Sequence, residues 1–148
     1  AKITNFRLPT EAEWEYACRA GTTTPFHFGS VCDGRQANCD GSHHQEISRK
    51  GPNLKEPSAV GSFDPNAWGI YDIHGNMWEW CSDRYAHYPN GTARDPTGPQ
   101  EGHYRVLRGG CWMTVPVNCR SAHRQWGGPS IRRSSIGFRL VIDSSEKF

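Results

Sequence analysis

What this 148-residue chain lacks narrows its class first. No stretch approaches 18 successive apolar residues, which excludes a membrane-spanning helix. The start, AKITNFRLPT, lacks the apolar core of a secretory signal, so the expected location is cytoplasmic, or exported with the targeting segment missing. No C-x-x-C pair occurs among the six cysteines, which argues against a zinc ribbon or a thioredoxin-like site. A glycine-rich phosphate loop and a G-x-S-x-G elbow are absent as well. The seven histidines show no metal-ligand spacing on a helix, and the adjacent pair His43 and His44 is expected to face solvent. Long helical periodicity is scarce, because 16 glycines and 10 prolines break the chain into turns.

Acidic residues are missing from 105 to 139, where Arg105, Arg108, Arg120, Arg124, Arg132, Arg133 and Arg139 stand. Such a stretch can attract an anionic partner. These arginines are spread through structured segments, however, so several of them are expected as buried partners of carboxylates elsewhere in the chain, with no nucleic-acid partner. What the chain does have is aromatic mass. Six Trp, 5 Tyr and 6 Phe with a net charge of only +2 describe a packed domain rather than a disordered segment. The length suits one domain.

One segment reads as a helix. Thr10 and Glu13 form a capping box, Trp14, Ala17 and Cys18 make one apolar face, and Gly21 is the stop. Residues 22–58 read as a long ordered loop, unusual enough to suggest that a ligand or ion holds it. In the segment 68–83, Trp78 and Trp80 share one face of an extended stretch and Glu79 faces the other. Residues 104–107 read as a short strand ending at Gly109 and Gly110, and 137–141 as a closing strand with Phe138 and Leu140 on one face; a polar tail follows from 143. Cys18, Cys81 and Cys119 read as small core residues, whereas Cys32 and Cys39, in a glycine-containing loop, can form a local disulfide. Asp83 has no nearby nucleophile and is read as structural. A half-buried Glu79 between two indoles needs a cation: either an arginine (Arg108, Arg120 or Arg139) or a calcium ion.

The segments RLPTEAEWEYACRAG, VGSFDPNAWGIYDIHGNMWEWCSD, RVLRGG, CRSAHR and IGFRLV, in this order, together resemble the formylglycine-generating enzyme family, the sulfatase-modifying factor domain. The resemblance implies an α+β, C-type-lectin-like fold, loop-rich with few helices and small twisted sheets. It implies one such domain over 1–148, minimal or truncated at the N-terminus. It also implies a structural calcium at the segment matching GNMWEW, with Gly75, Met77 and Glu79 as ligands. A second calcium position near Asn38 and Cys39 lacks its acidic ligand, since the matching stretch is KGPNLKE.

Enzymes of the family oxidise a sulfatase cysteine to formylglycine with two copper-binding cysteines, five apart, after the double glycine. Counted from Gly110 the first position is Thr114, and counted back from Arg120 the second is Pro116, so no copper is expected. A further branch, the ergothioneine-forming sulfoxide synthases, takes iron from histidines of a helical domain that this sequence does not contain. Variable proteins of diversity-generating retroelements resemble the family and lack its catalytic cysteines. Their texture of fixed and tolerant positions matches residues 111–135. The tolerant set here is Met113, Thr114, Val115, Val117, His123, Gln125, Trp126, Ser130, Ile131, Arg133, Ser134 and Ser135. The expected function is therefore a non-catalytic, monomeric ligand-binding module that takes a protein or peptide through these residues. The alternative is a sulfatase-modifying oxidase.

Overall fold

The computed structural model describes residues 5–43 and 49–143. The expectations for His44 and for the tail beyond Asp143 lie outside the described residues.

The expected helix forms as α1, Glu11–Arg19. Thr10 Oγ1 accepts the Glu13 N–H at 3.2 Å and Glu13 Oε2 accepts the Thr10 N–H at 2.8 Å, so two orphan donors of the first turn are satisfied reciprocally. The helix ends where Ala20 turns left-handed and its N–H reaches back to Tyr16 O. Trp14 and Cys18 point inward from it.

Among the described residues six short strands follow the chain order: β1 Asn5–Arg7, β2 Trp78–Arg84, β3 Arg105–Arg108, β4 Gln125–Gly127, β5 Ile136–Gly137 and β6 Val141–Asp143. Four of them make a sheet in the order β4-β3-β2-β5, with β5 parallel to β2 and the other pairs antiparallel. β1 and β6 form a separate antiparallel ribbon. The β2–β3 register shifts between Trp80 and Arg84, an irregularity that bends the pair.

The two faces of β2 sort its side chains as the alternation requires. Trp78 and Trp80 pack with Leu107, Cys111, Trp112 and Ile136. On the other face, Cys81 joins Trp14, Cys18, Ile73 and Val106 under α1. A third cluster packs Phe26, Cys32, Ala37 and Cys39 of the long loop against Cys119. That loop is thus ordered by its own buried side chains together with Cys119. It is pinned to the rest of the fold where Asn76 N–H donates to Asn38 O at 2.7 Å. Gly75 makes this approach possible: it holds φ +74, and a side chain there would run into the Asn38 carbonyl.

The closing strand expected over 137–141 is instead two strands, β5 and β6, with 138–140 between them. Phe138 and Leu140 do share a side, but it is the solvent side; Phe138 is 65% exposed. The inward residue is the half-buried Arg139, which the apolar alternation could not announce, although it stood among the arginines considered for Glu79.

Candidate functional site

Charge is the first thing the core organises. Arg108 is wholly buried, pairs with Glu15 and Glu11 of α1, donates to His123 O, and lies over the Trp14 ring at 5.2 Å. Arg124 makes a bidentate pair with Glu11 at 2.6 and 2.7 Å and lies over Tyr88 and Tyr85. Arg139 makes another with Glu79, at 2.6 Å for both bonds. Three of the seven arginines are therefore internal partners of carboxylates, as expected, while Arg132 and Arg133 are exposed.

Of the two partners considered for Glu79, the geometry selects Arg139. Glu79 Oε2 also accepts the Trp14 indole N–H at 2.6 Å, so both carboxylate oxygens are engaged. A calcium ion beside the Gly75 and Met77 carbonyls would have to share Glu79 with Arg139 and Trp14, while the buried Asp72 Oδ1 has no hydrogen-bond partner. At the second position, Asn38 Oδ1 is buried without a partner, but its amide neighbours are Ser58, Asn76 and the Glu56 carbonyl rather than a carboxylate. One neutral oxygen is a poor anchor for a hard divalent cation.

The segment 111–135 begins in the core, is exposed over 129–134 and returns to the interior at Ser135. Cys111 is buried against Trp78 and Leu107, and Cys119 in the separate Phe26 cluster. Burial pushes the Cys111 thiol up. Thr114 Oγ1 stands 3.5 Å from Cys119 Sγ and bonds the Cys111 backbone, so the position of one copper cysteine in the related enzymes carries a hydroxyl that closes a turn. The position of the other, Pro116, opens a short 3-10 turn, Pro116–Cys119. Among the described residues no three His, Cys, Asp or Glu side chains are grouped to hold a metal ion.

Of the tolerant residues, Met113, Gln125, Trp126, Ser130, Ile131, Arg133 and Ser134 are exposed. Val115, Val117 and His123 are half-buried, with the His123 ring 5.8 Å from Trp78. Ser135 does not belong to a surface: it is buried, and its carbonyl accepts the Trp78 N–H. Thr114 is likewise spent on its turn. Gln125 and Trp126 stand on β4, the edge strand of the sheet. Gln125 Oε1 accepts the Trp126 N–H at 3.0 Å, and the Trp126 ring rests 4.3 Å from Tyr104. Tyr104, 44% exposed, was not anticipated, although it directly precedes a strand whose partner holds Trp126.

A cavity of about 870 Å³ lies elsewhere, between α1 and the loop 84–99, lined by Tyr16, Asp83, Tyr88, Pro96 and Arg124 among others. Asp83, read as structural, accepts the Glu11 N–H at 2.8 Å and so caps the start of α1. Burial raises its pKa.

Fold and site together define a C-type-lectin-like scaffold in which the redox-enzyme positions are filled by turn residues. Comparison with known proteins agrees with that class. The sulfatase-modifying factor enzyme 1-like domain matches residues 1–144, and the chain belongs to that family. The formylglycine-generating enzyme of Mus musculus is 37% identical over 150 residues, covering 93% of this chain and 39% of that protein. A serine/threonine-protein kinase pkn1 of Chlamydia caviae is 39% identical over 140 residues, 91% of this chain and 21% of that one. The solved structure of Treponema denticola variable protein 1 superposes with a TM-score of 0.76 at 35% identity, covering 91% of this chain and 46% of its own. The chain thus spans less than half the length of each.

Proposed function

We propose that the chain acts as a non-catalytic binding module of the variable-protein kind, with its ligand face on the exposed part of 111–135. The observation that carries this reading is the fate of the two halves of that segment. Its thiols are buried in two separate clusters, whereas Gln125 and Trp126 stand exposed on an edge strand. Oxidation of a substrate cysteine needs reactive thiolates within reach of substrate and metal. Recognition needs a rigid aromatic anchor among adaptable polar groups, and Trp126 with Gln125, Ser130, Arg133 and Ser134 is such a set. A protein or peptide surface suits their mixed aromatic, hydroxyl and cationic chemistry. Likeness to the Treponema denticola variable protein supports the reading.

The rival is a sulfatase-modifying oxidase. Copper-loaded protein incubated with a C-x-P-x-R peptide is expected to leave the cysteine unchanged by mass spectrometry. Formylglycine in the product would overturn the binding-module reading.

A further inference from the structure

Three of the six cysteines meet in one cluster. The Sγ atoms of Cys32 and Cys39 are 3.8 Å apart in the Phe26 cluster, and Cys119 is a second thiol neighbour of Cys39. The loop is built to return on itself. Asp33 Oδ1 accepts the Arg35 N–H, Gln36 Oε1 accepts the Asp33 N–H, and Gly34 turns left-handed at φ +83, bringing the chain back from Cys32 to Cys39. A core needing only small apolar side chains does not require sulfur in contact with sulfur. Cys18, by contrast, is placed against His74 and Ser121.

We propose that Cys32 and Cys39 form a two-electron oxidation site, converted by a hydroperoxide into a disulfide while Cys119 stays a thiol. The two sulfurs are already in van der Waals contact at 3.8 Å, and a bond of roughly 2 Å requires them to close about half of that separation. The pair is also asymmetric. The hydrogen bond from Cys39 holds the Cys32 thiol below the ordinary range, while the hydrogen bonds to Cys119 and Cys32, with burial, push Cys39 up. Cys32 is accordingly the attacking sulfur and Cys39 the resolving one.

The Cys32 thiolate attacks the distal peroxide oxygen. The S–O bond forms, the O–O bond breaks, and the released oxygen takes a proton and leaves as water or alcohol. The sulfur of Cys39 then attacks the Cys32 sulfenic sulfur. The S–S bond forms, the S–O bond breaks, and the departing hydroxide takes the Cys39 proton and leaves as water. Two thiols are oxidised and one peroxide is reduced. A hydroperoxide suits the site because it is small, and both sulfurs are buried. Oxidation would be felt beyond the pair, since the Asp40 N–H, next to Cys39, donates to Thr114 O at 2.9 Å.

The test uses the reduced chain, hydrogen peroxide in small molar excess, alkylation, and a peptide map without reductant. The expected result is a mass lower by two hydrogens and a peptide linking Cys32 to Cys39. The link should vanish in Cys39→Ser and persist in Cys119→Ser. The wild-type map decides the matter even if Cys39→Ser fails to fold. Cys32 and Cys39 still alkylatable in the peroxide-treated, denatured chain would overturn the proposal, as would a Cys39–Cys119 link in its place.

Discussion

The residue whose environment says most about stability is His74. It is 3% exposed, its Nδ1–H donates to Cys119 O at 2.7 Å, and its Nε2 accepts the His27 N–H at 3.1 Å. That second bond leaves no place for a second proton. Burial accordingly holds its pKa down to about 4. The unfolded chain takes up this proton below about pH 6.5 and the folded chain does not. The stabilisation is therefore complete above pH 6.5 and is lost progressively as the pH falls to about 4, where the folded state protonates too. Its size is on the order of 3 kcal/mol. Urea midpoints measured between pH 7 and 4.5 should fall accordingly, and His74→Gln should flatten the profile. Glu79 makes the second argument at this scale. Removing its charge leaves Arg139 without a counterion, so Glu79→Gln is expected to cost about 3 kcal/mol in chemical denaturation. Calcium chelation of the wild type should leave its Tm unchanged, because the same carboxylate is committed to Arg139 and Trp14. A clear drop in Tm with chelator would reopen the calcium assignment.

Among the elements, α1 was the most legible in the sequence, and for a physical reason. Its signals are local: a capping box at fixed spacing and an apolar face at helical spacing, neither of which needs a distant partner. Thr10→Ala should therefore act locally and cost about 1 kcal/mol, read as a shift in denaturation midpoint with unchanged slope. The β2 alternation was legible for the same reason, since indoles two apart must share a face. β4 was not, because three residues carry no period and its strand character comes from pairing with β3. The closing segment was misread where a half-buried arginine, Arg139, replaced the apolar residue that alternation leads one to expect. The cavity beside α1 had no sequence signature either, being walled on one side by a loop of prolines and glycines. At the candidate face, the sequence marked Gln125 and Trp126 correctly as exposed. It could not separate Thr114 and Ser135 from them, because small hydroxyl residues serve turns and surfaces alike.

At the scale of the whole molecule, the fold divides its aromatic residues between two tasks. Trp14 and Trp78 hold the sheet to the helix and to the 111–135 segment. Trp126 lies beyond the core, 46% exposed, against the Tyr104 and Tyr85 rings. A scaffold that offers variable side chains to a ligand needs this separation, since a residue that is structural cannot also be free to change. The separation can be measured. Trp78→Ala opens a cavity among Leu107, Cys111 and their neighbours and should cost about 3–5 kcal/mol. Trp126→Ala should cost about 1 kcal/mol or less, the loss of one aromatic contact at a half-exposed site. Denaturation of the two variants side by side checks the difference. Peptides selected from a random library on the wild type should lose binding to the Trp126→Ala, Gln125→Ala double variant while its fold persists. If Trp126→Ala unfolds the chain as readily as Trp78→Ala, Trp126 is part of the scaffold and the ligand face must lie elsewhere.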